Sequence, residues 1–251
     1  MYAAADVARV AGDFALRHFR AGVDVETKGD GSPVTVADRG AEQAARAWLE
    51  ARFPADGILG EEFGVTRAGA PRRWVLDPID GTKTFVRGVP LWGTLVACLA
   101  GDEVLAGAAY FPAVQEVVVA APGEGCWWNG ARAHVSAVAT LGEATVLTTD
   151  PKFVHRPDRR DGWRALEDAA LLSRTWADAY GYLLVATGRA EAMVDPIMGD
   201  WDSAPLLPIV EEAGGVFTAW DGRRTALGGD AVATNGALAD EVRRALARTA
   251  G

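Results

Sequence analysis

The sequence predicts an α+β fold on three observations. Two amphipathic helical stretches come first, a run of short apolar strands joined by tight turns follows, and the last part mixes helices with strands. Strands that pair antiparallel with their neighbours, with helices kept apart from them, are the α+β signature. A chain of 251 residues has ample length to bury a core, as one large domain or two lobes. The division is expected near Leu141, with an N-terminal lobe over 1–140 and a C-terminal lobe over 141–251.

Val7, Val10, Ala11 and Phe14 recur at helical spacing and predict a first helix reaching about Phe19. His18 falls near the same face, and no neighbour completes a site around it, so it reads as structural. Residues 28–33, Lys28-Gly29-Asp30-Gly31-Ser32-Pro33, read as a Gly-rich mobile segment. No clear strand precedes them, so their loose likeness to a GxGxxG loop does not support nucleotide binding. Thr35-Val36-Ala37-Asp38 opens a second helix whose apolar face is Ala41, Ala44, Ala45, Trp48 and Leu49. Thr35 as N-cap and Asp38 at the third position make a capping box. Gly57–Gly60 predicts a short strand delivering Glu61 and Glu62. Successive strand side chains point to opposite faces, so only one of the pair can face a given site. Residues 65–72 read as a polar, flexible lobe edge.

The central stretch is Asp77-Pro78-Ile79-Asp80-Gly81-Thr82-Lys83-Thr84, preceded by the apolar Arg73-Trp74-Val75-Leu76. The apolar residues predict a buried strand that stops where Pro78 removes a backbone donor. Two carboxylates, Asp77 and Asp80, then fall in a tight turn. Gly81 lets the backbone approach a ligand closely. A turn of this kind opening a helix suits a phosphate, because its N–H groups and the helix dipole both favour an anion. Carboxylates beside that seat would repel phosphate unless cations lie between them, which points to Mg²⁺. An ordinary Asp-rich turn is the alternative.

Beyond the turn, 91–100 and 103–110 predict strands joined by a two-residue hairpin at Gly101-Asp102, and 114–120 predicts a third. Trp127 and Trp128 read as core and interface. In the second lobe, 145–149, 190–195 and 231–235 read as strands, and 163–172, 180–187 and 202–213 as helices, with a terminal helix last. Asp202 would N-cap the helix it opens.

Three separated motifs carry a resemblance. Asp77 to Thr82, Gly60-Glu61-Glu62 and Trp201-Asp202-Ser203-Ala204 resemble, in order and spacing, the signatures of the inositol monophosphatase superfamily of Mg²⁺-dependent phosphomonoesterases. The resemblance runs from about Val7 to the C-terminus and implies the layered α/β/α/β/α sandwich of the inositol monophosphatase and fructose-1,6-bisphosphatase type. It implies two or three Mg²⁺ ions, the number with which such sites activate water and neutralise phosphate oxygens. By motif match, Glu61, Asp77 and the Ile79 carbonyl hold one ion, and Asp77, Asp80 and Asp202 a second. Thr82, bonded to Asp38, orients the attacking water, and the Gly81 and Thr82 N–H groups hold phosphate. Asp195 aligns with the acid that binds a substrate hydroxyl, and Asp178 lies where the alcohol moiety is contacted. A helix cap at Asp178 remains the alternative. Members are commonly homodimers, and a dimer is expected here.

Within the superfamily, residues 60–64, 83–90, 177–188 and 233–236 resemble the histidinol-phosphate phosphatase branch. A second carboxylate near the leaving group suits a cationic amino-alcohol, because a charge-assisted hydrogen bond is about twice as strong as a neutral one. Inositol-1-phosphatase or broad sugar-phosphate phosphatase, and a catalytically idle Mg²⁺- or phosphate-binding regulator, are the other readings.

The formal net charge of −9 argues against nucleic acid or an anionic membrane as partner. It accommodates an anionic substrate only where bound cations reverse the local sign. Cys98 and Cys126 form neither a CxxC nor a disulfide framework. No basic n-region opens the chain, and no apolar run reaches the ~20 residues of a spanning helix, so a cytoplasmic protein is expected.

Overall fold

The computed structural model describes residues 1–22, 25–27, 29, 33–176 and 178–247. Of the Gly-rich stretch predicted at 28–33, residues 28 and 30–32 lie outside the described residues. The N-terminal elements are α1 (Tyr2–Leu16), β1 (Val25–Thr27), β2 (Pro33–Thr35) and α2 (Val36–Arg52). Next come β3 (Gly57–Gly60), β4 (Gly64–Thr66), β5 (Arg73–Asp80), α3 (Thr82–Val86), β6 (Gly93–Ala100) and β7 (Glu103–Phe111). Then follow β8 (Glu116–Ala121), β9 (Gly125–Trp128), β10 (Ala131–Arg132), β11 (Thr145–Leu147), α4 (Arg160–Ala169) and β12 (Leu172–Arg174). The chain closes with α5 (Ala179–Ala186), β13 (Ala192–Asp195), α6 (Asp200–Glu212), β14 (Gly215–Thr218), β15 (Ala231–Asn235) and α7 (Ala239–Leu246).

An eight-stranded sheet runs β10-β9-β8-β7-β6-β5-β3-β4, and a five-stranded sheet runs β12-β11-β13-β15-β14. The period-2 alternation of β5 and β6 sorts their side chains into two cores. Trp74, Leu76, Val96 and Cys98 pack under Val7, Ala8, Ala11, Ala41 and Leu49 of α1 and α2. Val75, Leu95 and Ala97 face the other way, onto Leu183 of α5, Leu206 and Val210 of α6, and Met193 and Phe217 of the smaller sheet. Val146, Ala192 and Val194 lie beneath Trp163 and Leu166 of α4 and Val242 and Leu246 of α7. The order of layers is therefore helix, sheet, helix, sheet, helix. Helix α6 is buried continuously from Ser203 to Val210, as a helix between two sheets must be. No helix among the described residues is long and apolar enough to cross a membrane.

Several boundaries differ from the sequence expectations. Strand β5 does not stop at Pro78 but continues to Asp80, with an irregular register between Asp77 and Asp80. That irregularity absorbs the missing proline donor. Helix α1 ends at Leu16, and Arg17, His18 and Phe19 close it with N–H bonds to carbonyls three residues back. Part of the segment read as a loose lobe edge is strand β4, paired with β3. The helix expected at 163–172 runs Arg160–Ala169, and Leu172 already belongs to β12. Helix α6 begins at Asp200, so Gly199 is its N-cap and Asp202 stands at the third position. Both cysteines are buried, and burial pushes the Cys98 thiol up to about 11 and the Cys126 thiol to about 12, which leaves them inert.

Gly107 in β7 is what lets α6 lie so close to the large sheet. A Cβ there would sit 2.1 Å from the Pro205 carbonyl oxygen, a backbone atom that cannot rotate away. Gly107→Ala is expected to cost about 1–3 kcal/mol by overpacking. A urea midpoint equal to that of the parent would show that the helix and sheet are not held at this contact.

Candidate active site

Strands β3 and β5 are parallel, with Gly60 opposite Leu76, so both deliver their following residues to one edge of the sheet. The Glu61 N–H donates to the Leu76 carbonyl at 3.2 Å, which seats Glu61 beside Asp77. Asp77 is 3% exposed, and its Oδ1 accepts the Ile79 N–H at 2.9 Å. The Pro78 carbonyl accepts the Thr94 hydroxyl at 2.8 Å, pinning the turn to β6. Gly81 then adopts φ +81° and ψ 44°, a left-handed conformation that glycine takes without steric cost. A Cβ there would stand 2.5 Å from Asp178 Oδ2.

Thr82 opens α3 with its hydroxyl 3.3 Å from Asp38 Oδ1 and 3.2 Å from the Ile79 carbonyl. A hydroxyl has one hydrogen for these two acceptors, so its lone pairs stay available to the cavity. Asp38 is fully buried, and its Oδ2 accepts both the Thr35 N–H at 2.7 Å and the Thr35 hydroxyl at 2.6 Å. It therefore caps α2 and reaches Thr82 at once.

Helix α6 brings Asp202 from the far half of the chain. Its Oδ2 accepts the Gly199 N–H at 2.8 Å, the reciprocal half of a capping box. Asp77, Asp80 and Asp202 each place an oxygen within 4.8 Å of the others. Glu61, Ile79, Gly81 and Thr82 join them around a cavity of about 400 Å³. A second cavity of about 390 Å³ adjoins it and shares Asp80, Lys83, Asp178, Ile197 and Asp202. Asp195, Tyr182, Asp150 and His155 line only the second.

Asp178 occupies the N-cap position of α5 with φ +50°, a rare value for a residue with a Cβ, yet its side chain makes no capping bond. It accepts the Thr84 hydroxyl at 3.0 Å instead, and the Ala179 N–H at the head of α5 donates to Asp80 Oδ2 at 2.7 Å. The cap expected of Asp178 is thus supplied by Asp80. Asp195 ends β13 and accepts the Thr149 N–H at 3.0 Å and the Tyr182 hydroxyl at 3.1 Å.

Burial raises six of these carboxyls, those of Asp38, Asp77, Asp80, Asp178, Asp195 and Asp202. Asp77 and Asp80 stand well above the ordinary value, through burial first and then neighbouring acids: Glu61 foremost for Asp77, Asp178 for Asp80. Burial lifts Asp202 to about 7 and Asp195 to about 6, and also raises Asp38 and Asp178. Asp77 and Asp202 hold carboxyl oxygens within 4.8 Å of each other, a spacing that favours a shared proton or a cation between them. Hard oxygen donors beside an open cavity with room for water fit a hard divalent cation.

The residues named from sequence as metal, substrate or catalytic candidates meet at these two cavities, with Asp38 behind Thr82 and Asp195 confined to the second. Sequence reasoning missed Tyr182, whose hydroxyl bonds Asp195, and Glu42, a fully buried acid on α2. Glu42 was detectable as a charged residue between Ala41 and Ala45 of the apolar face. The His18 ring lies tilted at 37° to Phe14, with centroids 5.2 Å apart.

The inositol monophosphatase family model matches residues 1–250, and the chain belongs to that family. Among its relatives, a histidinol-phosphatase of Chlorobaculum parvum is 42% identical over 237 residues, covering 94% of this chain and 92% of that protein. A histidinol-phosphatase of Mycobacterium tuberculosis is 43% identical over 223 residues, 87% of this chain and 86% of that one. The solved structure of an inositol monophosphatase from Zymomonas mobilis superimposes with TM-score 0.87 at 34% identity, covering 98% and 96% of the two chains.

A carboxyl whose folded pKa exceeds its unfolded value binds extra protons when folded, so its contribution to stability is lost as pH rises through the folded value. With chelator present, the melting temperature is expected to fall from about pH 4 to about pH 7, the window set by burial of Asp202. Asp202→Asn should flatten that slope. An equal slope in both proteins would remove Asp202 as its source.

Proposed function

We propose that this protein is a Mg²⁺-dependent phosphomonoesterase that hydrolyses L-histidinol phosphate to L-histidinol and phosphate, and that it works as a homodimer. The observation that carries the substrate reading is the pair of adjoining cavities: a carboxylate cluster in one, and an acid-walled recess beside it in the other. The histidinol-phosphatase relatives support the same reading.

Glu61, Asp77, the Ile79 carbonyl, Asp80 and Asp202 would hold the ions, which supply charge neutralisation of the phosphate oxygens and a more acidic water. Thr82 donates its one hydrogen to Asp38 or to the Ile79 carbonyl. Its lone pair then accepts from the attacking water and turns the water oxygen towards phosphorus. The Gly81 and Thr82 N–H groups at the head of α3 take phosphate oxygens. The new P–O bond forms to the water oxygen, the ester P–O bond breaks, and the departing alkoxide gains one proton for the one that the attacking water gives up. Asp178 and Asp195 face the recess where the alcohol portion lies, and there they pair with a cationic ammonium. The fixed position of Asp178, over Gly81 and bonded to Thr84, sets the distance between phosphate and charge.

The reading is tested by phosphate release with Mg²⁺ from L-histidinol phosphate and from inositol 1-phosphate, each with a chelator control. Strong preference for histidinol phosphate is expected, and equal or reversed rates would remove the substrate claim while leaving a phosphatase. Asp178→Asn should lower kcat/KM for histidinol phosphate about tenfold or more, the loss of a charged hydrogen bond of ~1.5–3 kcal/mol, and leave inositol phosphate little changed.

Asp80→Asn is expected to abolish turnover yet keep the fold, because an Asn oxygen can still accept the Ala179 N–H. Its melting temperature in chelator should equal or exceed that of the parent, since one of the crowded acids is gone. Full turnover in this variant would sink the metal assignment. Light scattering that gives the mass of one chain would remove the dimer.

A further inference from the structure

Helix α2 carries three charged or acidic residues, Asp38, Glu42 and Arg46, one turn apart on a helix whose buried side is otherwise Ala37, Ala41, Ala45 and Leu49. Asp38 reaches Thr82. Glu42 is 0% exposed and is not among the residues lining either cavity. Its carboxylate instead grips the turn after β3: Oε2 accepts the Glu62 N–H at 2.7 Å, and Oε1 accepts the Phe63 N–H at 3.2 Å. Arg46 Nε donates to the same Oε1 at 2.7 Å, and the guanidinium also bonds the Thr66 hydroxyl at 2.8 Å and the Gly64 carbonyl. The pair therefore ties the β3–β4 hairpin to α2 on both sides of the turn that begins at Glu61. Gly60 makes the contact possible, because a Cβ there would lie 2.0 Å from Glu42 Oε1.

We propose that Glu42 is a positioning residue for the cation site: by holding the 61–63 turn from behind, it sets where the Glu61 carboxylate stands relative to Asp77. This rests on the metal reading given under Proposed function. A buried charge is retained when it is paired and fully hydrogen-bonded, as Glu42 is. A carboxylate can accept from both N–H groups and the guanidinium together. An amide of the same shape cannot, since its NH₂ would face a donor and one turn N–H would lose its partner.

The test is Mn²⁺ binding to the full chain, followed by the paramagnetic resonance of the free ion, in the parent, Glu42→Gln, Gly60→Ala and Asp56→Asn. Asp56 is the control: a buried acid just before β3, bonded to Arg72 and Trp74 rather than to the Glu61 turn. Glu42→Gln is expected to weaken Mn²⁺ binding about tenfold to a hundredfold, as loss of a partner that orients a ligand does. At saturating Mg²⁺, its kcat should change little. Gly60→Ala displaces the carboxylate from the other side and should weaken the ion in the same way, which keeps the test open if one variant folds poorly. Asp56→Asn should lose melting temperature but keep the parent affinity. Parent affinity in both Glu42→Gln and Gly60→Ala, or an equal loss in Asp56→Asn, would overturn the proposal. Absence of Mn²⁺ binding in the parent itself would overturn the metal reading and this inference with it.

Discussion

The structure is organised by the crowding of buried and half-buried acidic side chains at one edge of a sheet. Acids this close resist ionising together, and burial compounds the effect. The fold answers with backbone donors. Asp77 takes the Ile79 N–H, Asp80 the Ala179 N–H, Asp202 the Gly199 N–H and Asp195 the Thr149 N–H. One oxygen of each acid is fastened by the main chain, which orients the side chain and leaves its second oxygen for neighbours or a ligand. The site is therefore set by turn and helix-end geometry more than by side-chain packing.

That geometry depends on the layering. The acids come from β5, α6 and β13, elements far apart in sequence, and only the middle helical layer brings them to one place. Helix α6 reaches the end of β5 because small residues on β7 let it approach, Gly107 above all. Helix α5 lies beside it with its first N–H on Asp80, so helix end and acid satisfy one another. Helix α2 completes the arrangement from the opposite side of the large sheet through Asp38 and Glu42.

Much of this was legible because it is local. The capping box at Thr35 and Asp38, the left-handed Gly81 and the strand that delivers Glu61 each follow from residues within a few positions. The helix and strand order was legible from periodicity, while ends were misjudged where a rule of local chemistry met a tertiary remedy. Pro78 removes a donor, yet β5 runs on because the register shifts between Asp77 and Asp80 and the Pro78 carbonyl finds Thr94. Asp178 left a cap and a substrate contact both open. The cap was taken by Asp80, 99 residues before the N–H it accepts.

By itself, the sequence determined which residues are chemically able to build the site: the acids, the glycine that must turn left-handed, and the threonine beside it. Their spacing also settled the elements that carry them, since caps, turns and periodicity act over a few residues. Only the tertiary structure decided which acids share a cavity, which is bonded to a helix end, and that Glu42 is buried behind the Glu61 turn. Those outcomes depend on distances between elements remote in sequence. Local pattern places no limit on such distances; the packing of α2 and α6 against opposite faces of one sheet does.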